Sequence, residues 1–91
     1  MRIGDLRVPF TLQSQDVNGD WSNVQSLWGS LDLYTNGGYS HLAVVRAFET
    51  SIVTGMRLAY GARYFLITKI EKVEEKDVWL RLFLQEEKKL G

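Results

Sequence analysis

Val78, Leu80, Leu82 and Leu84 alternate with Trp79, Arg81, Phe83 and Gln85. A period of two puts successive side chains on opposite faces of an extended chain, so this stretch predicts a strand with its Val/Leu face buried. Leu6, Val8, Phe10 and Leu12 repeat the pattern against Arg7, Pro9, Thr11 and Gln13. Pro9 has no N–H to give to a ladder, so the first strand should lie at an edge or turn that position outward. No stretch has the length and spacing of a long amphipathic helix.

Between these two strands the chain is a series of short extended runs separated by turn signals. Asp16, Asn18-Gly19 and Asp20 mark a hairpin loop longer than two residues. A long extended segment follows from Trp21 to about Tyr34, with Leu27, Gly29, Leu31 and Leu33 on one face and Trp28, Ser30, Asp32 and Tyr34 on the other. Gly29 in mid-strand points to a bulge or bend of the kind small barrels need at corners. Thr35-Asn36-Gly37-Gly38 is the strongest breaker in the chain and predicts a mobile loop tip. Residues 41–48 are apolar on both faces, as in a central strand covered on two sides or a strand at an interface. Residues 49–54 form a connector with room for one helical turn. Met56 to Tyr60 and Arg63 to Lys72 form a hairpin across Gly61-Ala62, where glycine supplies the positive φ of a tight loop. Glu74-Glu75-Lys76-Asp77 is a polar turn, and the tail from Glu86 to Gly91 is too short for an independent helix. These six strands predict an all-β antiparallel barrel or sandwich, one domain over residues 1–91 with long loops.

Composition removes several classes of function. A 91-residue chain buries about two-thirds of its unfolded surface, enough for one core. Eleven basic and eleven acidic residues cancel, which argues against tight electrostatic capture of nucleic acid or anionic lipid and leaves little repulsion between copies. The absence of cysteine excludes disulfides, thiolate nucleophiles and thiolate metal sites. The start, Met1 to Phe10, lacks the apolar stretch of a signal peptide, and no run approaches the about 20 apolar residues of a membrane span. The expected location is the cytoplasm, or something assembled there, with no membrane partner.

Nothing in the pattern assembles a catalytic group set. His41 is the only histidine and has no identifiable acid–base partner, so a structural role is expected. No ligand spacing for a metal and no phosphate-loop or nucleophile-elbow context is present, so neither cofactor nor enzyme activity is expected. Glu71, Glu74, Glu75 and Asp77, interleaved with Lys69, Lys72 and Lys76, read as a solvated hairpin of mixed charge. Trp21, Trp28 and Trp79 with Tyr34, Tyr39, Tyr60 and Tyr64 are expected mostly to fill the core. The alternatives are a stacking platform for single-stranded nucleic acid or subunit contacts, where aromatics and arginine are enriched.

In succession, these segments resemble the phage head–tail joining family, whose head-closure members sit in the neck of long-tailed phages. Gly4, Leu6 and Arg7 followed by Phe10-Thr11-Leu12-Gln13 resemble its opening strand, and Trp28-Gly29 its second. Ser40-His41-Leu42-Ala43-Val44-Val45-Arg46 is similar to its third. Met56-Arg57-Leu58, then Gly61 and Tyr64-Phe65, then Leu84-Gln85-Glu86 complete the order. Relatives carry a longer, partly helical segment between the second and third strands, where this chain has only about Thr35 to Tyr39.

The resemblance implies a small barrel that forms a dodecameric ring in the virion neck and is assembled in the host bacterial cytoplasm. Its implied partners are a portal-bound adaptor, a tail-completion or tail-terminator protein, and double-stranded DNA passing through the channel without sequence-specific binding. Tyr34, Thr35, Asn36, Gly37, Gly38 and Tyr39 occupy the position of the family's channel-closing segment and are the candidate channel or interface loop. His41, Arg46 and Arg57 are the candidate structural or subunit-interface residues. The competing reading is a free-standing small barrel that binds a peptide or single-stranded nucleic acid.

Overall fold

The computed structural model describes residues 8–46, 52–73 and 79–87. Six strands are formed: β1 (Val8–Gln15), β2 (Trp21–Leu33), β3 (His41–Arg46), β4 (Arg57–Tyr60), β5 (Arg63–Lys72) and β6 (Trp79–Glu86). They close into an antiparallel barrel in the order β1-β2-β3-β6-β5-β4, with β4 returning to β1. Residues 1–7, the end of the expected third strand at 47–48, the start of the connector at 49–51, the turn at 74–77, Val78 and the tail from residue 88 lie outside the described residues.

Alternation decides what fills the interior. Phe10 and Leu12 of β1, Leu27 of β2, Ala43 and Val45 of β3, Leu58 of β4, Phe65 and Ile67 of β5, and Leu82 and Leu84 of β6 are buried together, with Met56 beside them. Val8, Leu31, Ile52, Ile70 and Leu80 pack against this core from its ends. The aromatic filling is phenylalanine, not the tryptophans and tyrosines. Those seven residues all lie half-buried or exposed: Trp21, Trp28, Tyr64 and Trp79 occupy outward positions of their strands, Tyr34 and Tyr39 flank the β2–β3 turn, and Tyr60 ends β4 edge-on to Phe10, so that each indole N–H or phenol O–H can reach water.

Three local features set the shape. The β1–β2 ladder shifts register between Leu12 and Gln13, so that Val24 is the extra residue on β2. The bulge expected at Gly29 therefore lies five residues earlier. Gly29 does something different: it pairs with Val8 on one side and Val45 on the other, at the point where β2 passes from β1 to β3. A Cβ there would meet the Val44 carbonyl oxygen at 2.5 Å and a Val45 methyl at 2.8 Å, so only glycine lets the strands approach this closely. The second shift, at Thr68 on β5, is pinned by the Thr68 hydroxyl, which donates to the Phe83 carbonyl at 2.9 Å.

The turns follow their residues. Tyr60 pairs with Arg63, leaving Gly61-Ala62 as the loop, with Gly61 at φ 61°. Pro9 is exposed and lies beyond the short Thr11–Gln13 stretch that pairs with β4, so its missing donor falls where β1 is locally an edge. Leu33 departs from the expected face pattern. It ends β2 at the barrel mouth and is 78% exposed, although Leu27 and Leu31 of the same parity turn inward.

Candidate functional site

The Tyr34–Ser40 connection is a tight turn, not an extended loop. A short 3₁₀ turn spans Asn36–Gly38, with Gly37 at φ 70° and Gly38 at φ 87°. The Tyr34 N–H donates to the Ser40 carbonyl at 3.0 Å and closes the base. Tyr34 and Tyr39 stack with ring centroids 6.1 Å apart, and both pack on Phe83 of β6, at 5.5 and 5.1 Å. Lys69 lies over the far side of this group, 5.3 Å from the Phe83 centroid. Both tyrosines thus rest on the subunit's own outer wall, while Thr35, Asn36, Gly37 and Gly38 are exposed.

Ser40 and His41 form a seam between β3 and β6. The Ser40 hydroxyl oxygen accepts the Glu86 N–H at 2.7 Å and lies 3.4 Å from the Leu84 carbonyl. His41 Nδ1 is 2.9 Å from the same oxygen, and the imidazole meets the Phe65 ring edge-on at 5.0 Å. His41 is the one buried polar side chain among the described residues. A serine beside a histidine could suggest an activated nucleophile, but this hydroxyl is engaged by the β6 backbone and the imidazole faces the core. The pair joins strands; it is not arranged for attack on a substrate. Among the described residues no cluster of histidine, aspartate and glutamate could hold a metal ion.

The two candidate arginines have contrasting surroundings. Arg57 projects from β4 and is 13% exposed. Its guanidinium carbon lies 4.1 Å from the ring centroid of Trp21 and 4.1 Å from that of Tyr64. Nε donates to Gln13 Oε1 at 2.6 Å, and Nη1 donates to Glu87 Oε2 at 3.2 Å. One side chain thereby ties β1, β2, β4, β5 and the residue that follows β6. Glu87 is thus a carboxylate partner of Arg57 within the subunit.

Arg46 ends β3 in the exposed part of the wall and lies 5.6 Å from the Trp79 ring centroid, with Trp79 as its ladder partner. The register extends this pair into a row. Pro9 pairs with Trp28, and Gly29 pairs with Val45, so the next residues in that antiparallel register are Trp28 and Arg46. Pro9, Trp28, Arg46 and Trp79 therefore share one outward row across β1, β2, β3 and β6. Trp28 is 59% exposed within it.

Alternation placed Trp28 and Trp79 opposite the leucine faces of their strands, but only the register brings them into one row with Arg46. Trp21, Tyr64, Gln13 and Glu87 around Arg57 had no sequence signal, because they come from four separate segments. The nearby Arg63–Glu86 pair is bidentate at 2.8 and 3.1 Å, and this hydrogen bonding holds the Glu86 carboxyl below the usual glutamate range. No protein-family model, curated protein or solved structure matches this chain.

Proposed function

We propose that this chain is a structural protein of the phage neck, a ring-forming head-closure subunit. In this role it docks on the portal-bound adaptor, helps retain the packaged genome and offers the surface on which the tail is completed. The observation that carries the reading is the order of the resembling segments along one closed barrel. Phe10 to Gln13 belong to β1, Trp28-Gly29 to β2, His41 to Arg46 to β3, Arg57-Leu58 to β4, Tyr64-Phe65 to β5 and Leu84 to Glu86 to β6.

The physical chemistry is compatible with such a part. A closed ladder leaves recognition largely to side chains on the wall, and this wall carries tryptophan, tyrosine and arginine, the residue types enriched at subunit contacts. A net charge of zero suits a channel that lets DNA phosphates pass without holding them. The loop from Tyr34 to Tyr39 is the proposed channel-facing element, and Arg57 the proposed internal clamp of the wall over β4.

The test is to disrupt the gene in the element that carries it and inspect the particles by electron microscopy. The expected products are filled or leaking heads without tails, restored to tailed particles by the gene supplied in trans. Normal tailed particles from the disrupted element would overturn the reading.

A further inference from the structure

The sequence has three asparagines, Asn18, Asn23 and Asn36, and Asn18 and Asn36 stand directly before glycine. In such a pair the next backbone nitrogen reaches the side-chain amide most easily, because glycine has no Cβ in the way. Asn23 is differently placed. It lies within β2, the Gln13 side chain donates to its Oδ1 at 2.8 Å, and the β-branched Val24 follows it.

Asn18 and Asn36 are both exposed, so access to water does not distinguish them. Hydrogen bonding does. The Gly19 N–H donates to the Asp16 carbonyl at 3.1 Å, which engages the nitrogen that would have to attack Asn18. The turn around it is tied further. Asp16 Oδ1 accepts the N–H groups of Asn18 at 2.8 Å and Asp20 at 3.0 Å. The Asp16 N–H donates to the Asp20 carbonyl at 2.9 Å, and the Gln15 side chain donates to the Gly19 carbonyl at 3.0 Å.

The second pair has no such ties. Gly37 is the second residue of the Asn36–Gly38 turn, where a backbone N–H has no acceptor within the turn. Among the described residues, neither that N–H nor the Asn36 amide finds a partner elsewhere. The bond from the Tyr39 N–H to the Asn36 carbonyl is long, at 3.4 Å. Asn36 therefore leaves its turn geometry at little cost, as an exposed segment with few hydrogen bonds does.

We propose that Asn36 is a site of spontaneous deamidation, converted selectively while Asn18 and Asn23 persist. The Gly37 nitrogen attacks Asn36 Cγ. The N–Cγ bond forms, the Cγ–Nδ2 bond breaks, and Nδ2 departs as ammonia with the proton that Gly37 gives up. Water then opens the cyclic succinimide at either carbonyl carbon. Opening at Cγ gives aspartate, and opening at the main-chain carbonyl gives isoaspartate, whose chain runs on through Cγ. Either product puts a carboxylate on the loop of a chain whose charges otherwise cancel. Isoaspartate also lengthens the main chain of a three-residue turn by one methylene and removes the carbonyl that accepts the Tyr39 N–H. The site needs only the folded chain and water, so it stands apart from the neck role.

The test holds the purified full chain at mildly alkaline pH, with circular dichroism to verify that it stays folded. Timed samples are digested and mapped by mass spectrometry, and electron-transfer fragmentation tells isoaspartate from aspartate. In the folded chain Asn36 should convert at least about tenfold faster than Asn18. Asp16→Ala should speed Asn18 and leave Asn36 unchanged, and in urea the two rates should converge. Asn36→Gln should hold that position intact, since its longer side chain must close a larger ring. Equal conversion of Asn18 and Asn36 in the folded chain overturns the inference, as does faster conversion of Asn18. An Asn36 that stays intact when folded but converts in urea overturns it too, and so does a ratio of the two rates that urea leaves unchanged.

Discussion

Arg57 and Arg46 project from the same barrel, yet one is enclosed by it and the other is displayed. Arg57 touches two aromatic rings, an amide and a carboxylate drawn from four other segments. Arg46 is exposed at the end of β3, against Trp79 and in line with Trp28. The difference comes from where each strand runs. β4 is short and lies between β1 and β5, so outward side chains of both neighbours, and Glu87 beyond β6, converge over it. Arg46 sits at the end of β3, with its side chain exposed. The same residue type therefore ties four other segments together on one side and lies exposed against a tryptophan ring on the other.

Both walls hang on one core, and the most severe way to break the comparison is to damage that core. Leu82 is fully buried and pairs with Ala43 and Ile70. Leu82→Ala should destabilise by about 2–5 kcal/mol through lost burial and the cavity left behind. Trp21 reports on the Arg57 wall, and Trp28 with Trp79 on the Arg46 wall. In urea, fluorescence of single-tryptophan variants should show both walls melting in one coincident transition. Separate midpoints would mean that the walls are independent units and that the contrast lies between subdomains instead of between faces of one barrel.

A smaller effect sharpens the comparison directly. Lysine keeps the charge of arginine but loses the planar fork and its stacking. Arg57→Lys should lower stability by about 1–3 kcal/mol, because the ammonium keeps only part of the two cation–π contacts and two charge-assisted hydrogen bonds that the planar fork makes. Arg46→Lys should stay within about 0.5 kcal/mol, as for a surface position. The check is the urea midpoint at unchanged m-value. Equal losses from the two variants would erase the distinction between an internal clamp and a display surface.

How much of this the sequence carried depends on the range of the signal. Period-two alternation marked β1, β2 and β6, and Gly61-Ala62 marked the β4–β5 turn, because those are relations between near neighbours. Leu33 shows where alternation stops being sufficient: it shares the parity of Leu27 and Leu31 and pairs with buried His41, yet as the last residue of β2 it is exposed. The extra residue at Val24 was also out of reach, since a bulge is a property of two paired strands and not of one. For Trp28 and Trp79 the expectation of a core position weighed hydrophobicity above parity, while Tyr60 has inward parity but ends its strand. The Arg57 clamp needs Gln13, Trp21, Tyr64 and Glu87 to meet, and only closure of the barrel achieves that. For the loop, Asn36, Gly37 and Gly38 gave the turn, whereas the seat of Tyr34 and Tyr39 on Phe83 required the β3–β6 pairing.

Acid provides the gentlest test, because each wall has a carboxylate beside it. On the Arg57 side, hydrogen bonding from Arg63 holds Glu86 below the ordinary value of 4.5. Near the Arg46 side, hydrogen bonds from Lys69 and then Arg81 do the same for Glu71. Both groups bind protons less readily folded than unfolded. The unfolded chain therefore takes up more protons as pH falls, and stability drops with falling pH. The contribution is complete above the unfolded value of about 4.5 and is lost as pH passes down through the lower folded value. Stability should thus show no dependence on these groups near neutrality and an acid limb beginning below about pH 4.5. Glu86→Gln and Glu71→Gln should each remove part of that limb, leaving the neutral-pH midpoint changed least of all the variants considered, since both pairs are largely solvated. Chemical unfolding from pH 3 to 7 of the parent and the two variants is the measurement. An acid limb that persists unaltered in the Glu71→Gln, Glu86→Gln double variant would show that these pairs are screened to insignificance. In that case the contrast between the walls would rest on the stacking and hydrogen bonds of Arg57 and not on these carboxylates.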